Sequence, residues 1–265
     1  RIVRRRCLMT QPAKAEGQDL RNQLVHCCKR LKLQSSLVDH CYALESEKLP
    51  TQLLQLFQEE LEGRHLRRTN RYIQQAHFDG PKRLHECDWE GIKIPSSIAI
   101  EDMVQGTFIP RCENLILYGP VGTGKTHMAK VLGMHACAQG YRTYFYRTVT
   151  LMNRLCEARK EGRLLPFLRT LNKASLLILD EFGFVPADRE GSQLLFEVIS
   201  SCYEKRSIIL TTNLEFSKWV QIFQDEQLTS AMIDRIIHYS HLLIFVKESY
   251  RMKFSLMKEE NSPPY

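Results

Sequence analysis

A predicted phosphate-binding loop constrains the fold of this 265-residue chain more than any other feature. Residues 115–118 form a short apolar run, and Gly119, Gly124, Lys125 and Thr126 then match the pattern G-x-x-x-x-G-K-[ST]. The glycines let backbone N–H groups turn inward around the β- and γ-phosphates of a nucleotide, and the helix that begins near Lys125 points its positive end at them. Lys125 adds a point charge, and Thr126 adds a hydroxyl group for Mg²⁺.

This pattern predicts an α/β fold that binds ATP and Mg²⁺. The alternative is a Gly-rich turn between a strand and a helix that holds no ligand. The predicted nucleotide-binding residues are Gly119, Pro120, Val121, Gly122, Thr123, Gly124, Lys125, Thr126 and His127.

Two acidic residues end the next strongly apolar segment. Residues 176–179 are apolar, and Asp180 and Glu181 follow them. In a parallel sheet the carboxyl end of this strand lies beside the phosphate-binding loop, so Asp180 can hold Mg²⁺ through its water shell. Glu181 is then placed to polarise the water that attacks the γ-phosphate. Together with the loop, these acids favour an ATPase over a small-molecule kinase.

A third apolar strand has polar residues at its end. Residues 207–210 are followed by Thr211, Thr212 and Asn213. If this strand lies between the two nucleotide strands, Asn213 can hydrogen-bond the γ-phosphate or the attacking water. The alternative is that Asn213 caps a helix that begins near Ser217.

The composition is that of an ordinary globular protein. Hydrophobic residues make up 43% of the chain, which can supply the core of one α/β domain with a smaller appendage. No apolar run approaches the ~18 residues of a membrane-spanning helix, and no signal peptide is evident. The nine cysteines are scattered, without a C-x-x-C pair or a metal-ligand cluster. We therefore expect a soluble cytoplasmic protein with reduced thiols and no membrane partner.

Basic residues are concentrated in front of the loop. Residues 1–75 hold 14 Lys and Arg against 8 Asp and Glu, a net charge of +6, and the whole chain has +7. An amphipathic helix starts at Pro50-Thr51, and its i+3 and i+4 spacing places four arginines on one face. These are Arg64, Arg67, Arg68 and Arg71. The stripe can follow the phosphate backbone of DNA; the alternative is a solvated face balanced by Glu59, Glu60 and Glu62.

The periodicity predicts three regions. Residues 1–18 form a basic, disordered leader, residues 19–79 a small all-helical domain that binds DNA or a partner, and residues 80–265 an ATPase domain with a parallel five-stranded sheet flanked by helices. Two short helices with a break near Ser35-Ser36 open the helical domain. Residues 98–109 are expected in the core, with packing on the adenine as the alternative. Only 19 residues follow Val246, so no C-terminal helical lid is expected.

These motifs together resemble AAA+ ATPases, and a narrower set resembles the IstB family of transposition helper ATPases, with the DnaC-type helicase loaders close by. The resemblance covers most of residues 20–258. The narrower set comprises Asp180-Glu-Phe-Gly-Phe-Val-Pro, Glu190-Gly, Ile208-Ile-Leu-Thr-Thr-Asn213, Phe216-Ser-Lys-Trp219, Asp234-Arg235-Ile-Ile-His238 and Ser249-Tyr-Arg251.

The resemblance implies a helper that binds target duplex DNA with ATP, assembles on it as a homo-oligomeric ring, helix or filament, deforms it, and delivers it to a partner transposase that stimulates hydrolysis. The alternative function is a DnaC-like loader that binds a replicative helicase and single-stranded DNA.

The resemblance also assigns roles to arginines. It implies that Arg235 reaches the γ-phosphate of a neighbouring subunit in trans, which makes the predicted catalytic set Lys125, Glu181, Asn213 and Arg235. The alternatives for Arg235 are an intrachain pair with Asp234 and a cation at a helix C-terminus. Arg189 is the second candidate for the trans arginine. Arg251 matches the family pattern and is a candidate contact to nucleotide or a neighbour.

Overall fold

A computed structural model shows two compact units, with the division after Arg68. The structure describes residues 12–34, 36–43, 48–80, 82, 84, 87–184, 188–223 and 225–250. Residues 1–11 of the predicted leader lie outside the described residues, as does Arg251, so the predictions for these residues stay untested.

The first unit is helical. Its helices are α1 (Pro12–Leu31), α2 (Ser36–Ala43) and the first part of α3 (Leu49–Gln75). Leu24, Cys28 and Val38 form a small core, against which Leu53 and Phe57 of α3 pack. The predicted leader is corrected here, because residues 12–18 belong to α1. A proline is favourable at the first helical position, and the Ala, Lys and Glu residues that follow it are good helix formers.

The boundary between the units differs from the prediction of 79/80. The end of α3 belongs to the second unit, where Thr69 Oγ1 donates a hydrogen bond to the Cys137 carbonyl (3.4 Å). The Ala76 carbonyl accepts a hydrogen bond from the Phe145 N–H (2.9 Å). The helical periodicity runs through Arg68 without interruption, so the sequence carried no signal for a division inside α3.

The second unit is built on a six-stranded sheet of order β1-β6-β2-β5-β4-β3. Neighbouring strands are parallel except β1, which runs antiparallel to β6. The prediction of five strands is therefore wrong by one strand, the edge strand β1. Sequence periodicity could not detect β1, because it has only two residues and lies inside a connector. The strands are β1 (Ile92–Lys93), β2 (Asn114–Tyr118), β3 (Thr143–Arg147), β4 (Leu176–Asp180), β5 (Ser207–Thr212) and β6 (Ser240–Phe245).

Helices cover both faces of this sheet, which explains why β2 and β4 are continuous apolar runs. On one face the core includes Met103, Phe108 and Ile109, so the expectation of a core position for residues 98–109 is confirmed. The core on the other face includes Trp219, which lies 4.6 Å from Phe182 between ring centroids. The helices are α4 (Ile100–Gln105), α5 (Lys125–Ala138), α6 (Thr148–Lys160), α7 (Leu164–Leu171), α8 (Arg189–Cys202), α9 (Val220–Phe223) and α10 (Glu226–Ile237), with a 3₁₀ turn at Phe216–Lys218.

The strand order places the predicted site residues at one edge. β5 lies between β2 and β4, as predicted, and the carboxyl ends of these three parallel strands meet at the same side of the sheet. Open α/β sheets bind ligands at this side. None of the helices in the described ranges has the length and apolar composition needed to cross a membrane.

Candidate nucleotide site

The loop between β2 and α5 packs too closely against the end of β6 for any residue but glycine at position 119. Gly119 has φ +152°, and a Cβ there would lie 2.4 Å from the Phe245 carbonyl oxygen. Gly124 has φ +96° at the N-cap of α5, where the left-handed conformation costs glycine little. The backbone therefore turns sharply from the strand into the helix, as the sequence pattern requires.

Lys125 is buried within this loop. Its Nζ donates hydrogen bonds to the carbonyl oxygens of Gly119 (2.7 Å) and Pro120 (2.6 Å). The hydroxyl of Thr123 also donates to the Pro120 carbonyl (2.9 Å), which tightens the turn. The ammonium group is thus held on the inner side of the loop, where bound phosphates would lie.

A hydroxyl–carboxylate pair forms next to the loop. Thr126 Oγ1 donates to Asp180 Oδ1 (2.8 Å), and Thr211 Oγ1 donates to the same oxygen (2.6 Å). The Asp180 side chain is buried, so its position is fixed by these hydrogen bonds. Sequence analysis missed Thr211, although a threonine at the end of a buried strand between two nucleotide strands was an available signal.

The residues at this point fit a Mg²⁺ ion. Thr126 and Asp180 offer hard oxygen donors side by side, which is the ligand type that Mg²⁺ prefers. Within the described ranges there is no group of three or more His, Cys, Asp or Glu side chains that could hold a metal. A Mg²⁺ site completed by water and nucleotide phosphates needs only one or two carboxylates, so this donor set is sufficient.

Glu181 adopts a backbone conformation that is unusual for a residue other than glycine. Its φ is +55°, and its N–H donates to Thr211 Oγ1 (2.9 Å). The Asp180 side chain is buried, whereas the Glu181 side chain is 45% exposed. The carboxylate lies 3.9 Å from Arg147 Nε. Strained backbone of this kind is concentrated at functional sites.

Asn213 directly follows β5 and is half-buried. The alternative that it caps the next helix is wrong, because the following helical turn begins at Phe216 and its N-cap position is Glu215. Its hydrogen bond to the γ-phosphate or the attacking water stays a prediction.

A cavity of about 340 Å³ adjoins the loop, and part of its wall was not predicted. Asp88 and Lys247 form this wall, with Lys247 Nζ 2.5 Å from Asp88 Oδ2. Tyr250 also lines the cavity, and its N–H donates to the Gly122 carbonyl (2.9 Å). These residues meet only because β1 pairs with β6, a contact that sequence periodicity could not show. The same cavity is lined by residues 122–128 of the loop and the start of α5.

Gly122 provides a test of this wall. A Cβ at this position would lie 2.1 Å from Ser249 Oγ, and φ is +84°. We expect Gly122→Ala to displace the segment that bears Ser249 and to weaken ATP binding about tenfold, measured with a fluorescent ATP analogue.

The matched control for this variant is Gly162→Ala. Gly162 has a similar φ of +69°, but nothing lies within 4 Å of the added methyl group. It therefore carries the backbone penalty without the collision. Equal ATP affinities for the two variants would show that the packing of Ser249 on the loop does not matter for binding.

Arg235 lies away from the loop of its own chain. Asn114, at the start of β2, donates from its N–H to the Tyr239 carbonyl (2.7 Å) and from Nδ2 to the Ile236 carbonyl (3.2 Å). The end of α10 is thereby attached to the amino end of β2, whereas the loop follows the carboxyl end. Arg235 Nη1 donates to the Ala231 carbonyl (2.9 Å). Within the described residues no ion pair joins Asp234 and Arg235.

The second candidate for a trans arginine has a different position. Arg189 is the exposed first residue of α8. The trans role of Arg235 and that of Arg189 stay predictions.

Glu60 neutralises part of the positive charge of the predicted arginine stripe. Arg64 Nε lies 2.7 Å and Arg67 Nη2 3.3 Å from Glu60, and hydrogen bonds from Arg64 and Arg67 lower the pKa of that carboxyl group. Arg68 contacts His65, and Arg71 lies over the Tyr72 ring. The first three arginines belong to the first unit and Arg71 to the second. DNA binding by this stripe stays a prediction.

Comparison with known proteins confirms the family resemblance. A family model described as IstB-like ATP binding protein matches residues 29–258. The chain is 38% identical over 201 residues to the ATP-binding protein of insertion sequence IS21 from Pseudomonas aeruginosa, covering 76% of each chain. It is 35% identical over 209 residues to that of insertion sequence IS232 from Bacillus thuringiensis subsp. berliner, covering 79% of this chain and 84% of the relative.

Among solved structures, DnaI has a similar fold, with a TM-score of 0.51 at 13% identity over 62% of this chain and 90% of DnaI. The similarity supports the fold alone. The family match spans both the loop at residues 119–127 and the acids at the end of β4. The chain belongs to the IstB-like ATP-binding protein family.

Proposed function

We propose that this protein is an ATPase that assembles on target duplex DNA and delivers that DNA to the transposase of its insertion sequence. ATP binding drives assembly, and hydrolysis reverses it. The observation that carries the ATPase part is the shared hydrogen-bond network of Thr126, Asp180, Thr211 and Glu181, because it links the phosphate-binding loop to the predicted base.

The predicted site residues have distinct tasks in hydrolysis. Lys125 exchanges its loop carbonyls for oxygens of the β- and γ-phosphates and stabilises their charge during transfer. Thr126 and Asp180 would hold Mg²⁺, which would supply positive charge beside the phosphates. Glu181 orients the attacking water and accepts its proton, and Asn213 orients the γ-phosphate or that water.

The DNA and transposase parts rest on other observations. The matched relatives are named as ATP-binding proteins of insertion sequences, which are mobile DNA elements. The net charge of +7 favours a phosphate-bearing partner, and the arginine stripe on α3 offers one surface for it.

The experiment that tests this function compares binding of a random-sequence duplex and a matching single strand, with and without a non-hydrolysable ATP analogue. We expect cooperative, ATP-dependent assembly that prefers the duplex. Lys125→Ala should abolish this assembly, because the buried ammonium that contacts the phosphates is lost, whereas Lys205→Ala, at an exposed position outside the site, should behave as wild type. Assembly size is followed by light scattering.

Two results would contradict the proposal. Unchanged assembly of Lys125→Ala would show that ATP is not the switch. A preference for the single strand, or DNA binding only after a replicative helicase is added, would identify a helicase loader instead.

A further inference from the structure

A second concentration of positive charge lies inside the ATPase unit, between residues 142 and 173. This segment spans β3, α6 and α7 and holds six Arg and two Lys against two Glu, a net charge of +6. Residues 1–75, in front of the loop, also have a net charge of +6, so the two segments are equally basic. The net charge of the whole chain is +7. The predicted nucleotide site uses none of the charges on α6 and α7.

A cavity of about 300 Å³ opens in this basic segment, where β3 ends and α6 begins. Two guanidinium groups, those of Arg147 and Arg154, line it together with the Thr150 hydroxyl. The acid in its lining, Asp79, is already paired with Lys130 Nζ at 2.9 Å. The cationic groups therefore exceed the acids around this cavity.

An aromatic wall completes the cavity. The rings of His77 and Tyr146 lie 5.5 Å apart, and the Arg154 guanidinium lies 5.7 Å from the centre of the Tyr146 ring. Burial, and then the charge of Arg154, lower the pKa of His77, so this ring is neutral at pH 7. The rings thus offer flat, uncharged faces beside two arginines.

These groups match the chemistry of a nucleic-acid backbone. Arginine forks and a hydroxyl donate hydrogen bonds to phosphate oxygens, and aromatic faces pack against a sugar or a base. The volume is at the low end of the range of about 300–1,000 Å³ for ligand pockets, which suits one phosphate and its sugar. The wider charge of +6 favours a polyanion over a single small anion.

Arg154 differs from its neighbours on α6 and beyond. Arg159 Nε lies 3.6 Å from Glu190, and Arg163 pairs with Glu161. In the described part of the chain Arg154 forms no ion pair, and its guanidinium faces the Tyr146 ring instead. The other guanidinium of the cavity, that of Arg147, lies 3.9 Å from the Glu181 carboxylate. A phosphate can therefore bind Arg154 without breaking an existing ion pair.

We propose that the cavity between β3 and α6 binds a backbone phosphate of DNA through Arg154, Arg147 and Thr150. This inference rests on the proposed DNA-assembly function and assigns it a contact within the ATPase unit, separate from the arginine stripe on α3.

The test measures binding of a fluorescent random-sequence duplex over a range of salt concentrations. We expect Arg154→Ala to weaken binding about tenfold near 0.1 M salt and to reduce the slope of log K against log salt by ~0.9. Arg154→Lys keeps the positive charge but loses the paired hydrogen-bond donors of the guanidinium group. It should therefore keep the salt dependence of binding and lose part of the affinity. Thr150→Val should weaken binding without changing the slope.

Arg159→Ala is the matched control, because it removes the same charge from the same helix outside the cavity. All variants are compared by thermal midpoint and by ATP hydrolysis without DNA, which should match wild type. Arg147 is left intact because it approaches Glu181.

The outcomes separate the two proposals. If wild type does not bind the duplex, the proposed function is wrong. If wild type binds and Arg154→Ala equals Arg159→Ala in affinity and slope, the site is wrong and the function stands. If phosphorus NMR shows that Arg154→Ala loses binding of inorganic phosphate while duplex binding is unchanged, the ligand is a small phosphate and the assignment to DNA is wrong.

Discussion

The Glu181→Gln variant is expected to bind ATP with wild-type affinity and to hydrolyse it about 10²–10⁴ times more slowly. Glutamine keeps the size of the side chain but is not a base, so the attacking water loses its proton acceptor. The backbone hydrogen bond from residue 181 to Thr211 Oγ1 does not depend on the side chain and should persist. The measurement is single-turnover hydrolysis together with ATP affinity, which separates chemistry from binding.

The control is Glu161→Gln, which makes the same chemical change on a glutamate of similar exposure at the end of α6. Its hydrolysis rate should equal that of wild type. Normal turnover by Glu181→Gln would exclude Glu181 as the base. Loss of ATP affinity along with turnover would instead show that Glu181 stabilises the loop.

The centre of the site was predictable because its signals are local in sequence. β2, β4 and β5 are continuous apolar runs with polar ends, and their parallel arrangement brings Thr126 and Asp180 to hydrogen-bonding distance. A fixed spacing between glycines and lysine likewise specifies the turn into α5. In each case a few consecutive residues determine the structure, so no tertiary information was needed.

The rest of the site depends on pairing between distant segments. The wall formed by Asp88 and Lys247 exists because a two-residue strand pairs with β6, which lies more than a hundred residues later in the chain (Ile92 opposite Phe245, Lys93 opposite Ile244). The role of Thr211 depends on its register between β2 and β4. The division after Arg68 lies within one helix and changes only which residues α3 contacts. None of these features alters local periodicity, so a single sequence could not reveal them.

The Arg235→Ala variant is expected to bind ATP normally and to lose most hydrolysis in the assembled state, by a factor of ~10³–10⁵ if the arginine acts in trans. The five residues of β2 span about 17 Å and separate the end of α10 from the loop. This distance is longer than an arginine side chain, so Arg235 does not reach the phosphates of its own subunit. Its contact with the Phe196 ring, 5.0 Å from guanidinium to centroid, keeps it at the surface of α8.

Arg189→Ala is the control, because it removes the second candidate arginine from the exposed start of α8. It should hydrolyse ATP at the wild-type rate. The reverse pattern, with Arg189→Ala inactive and Arg235→Ala active, would assign the trans role to Arg189. Arg235→Lys should remain strongly impaired, because an ammonium group lacks the fork that contacts two phosphate oxygens.

Mixing two inactive variants decides whether Arg235 acts in trans. A subunit with Arg235→Ala keeps an intact site of its own, and a subunit with Glu181→Gln keeps the arginine that its neighbour needs. In a random equal mixture about a quarter of the head-to-tail interfaces combine the two intact halves, so about a quarter of wild-type hydrolysis should return. An arginine that acts within its own subunit gives no recovery at any ratio. Because each variant alone is inactive, recovered hydrolysis can come only from a site shared between two subunits. Hydrolysis would then require assembly, since no single subunit contains the complete site.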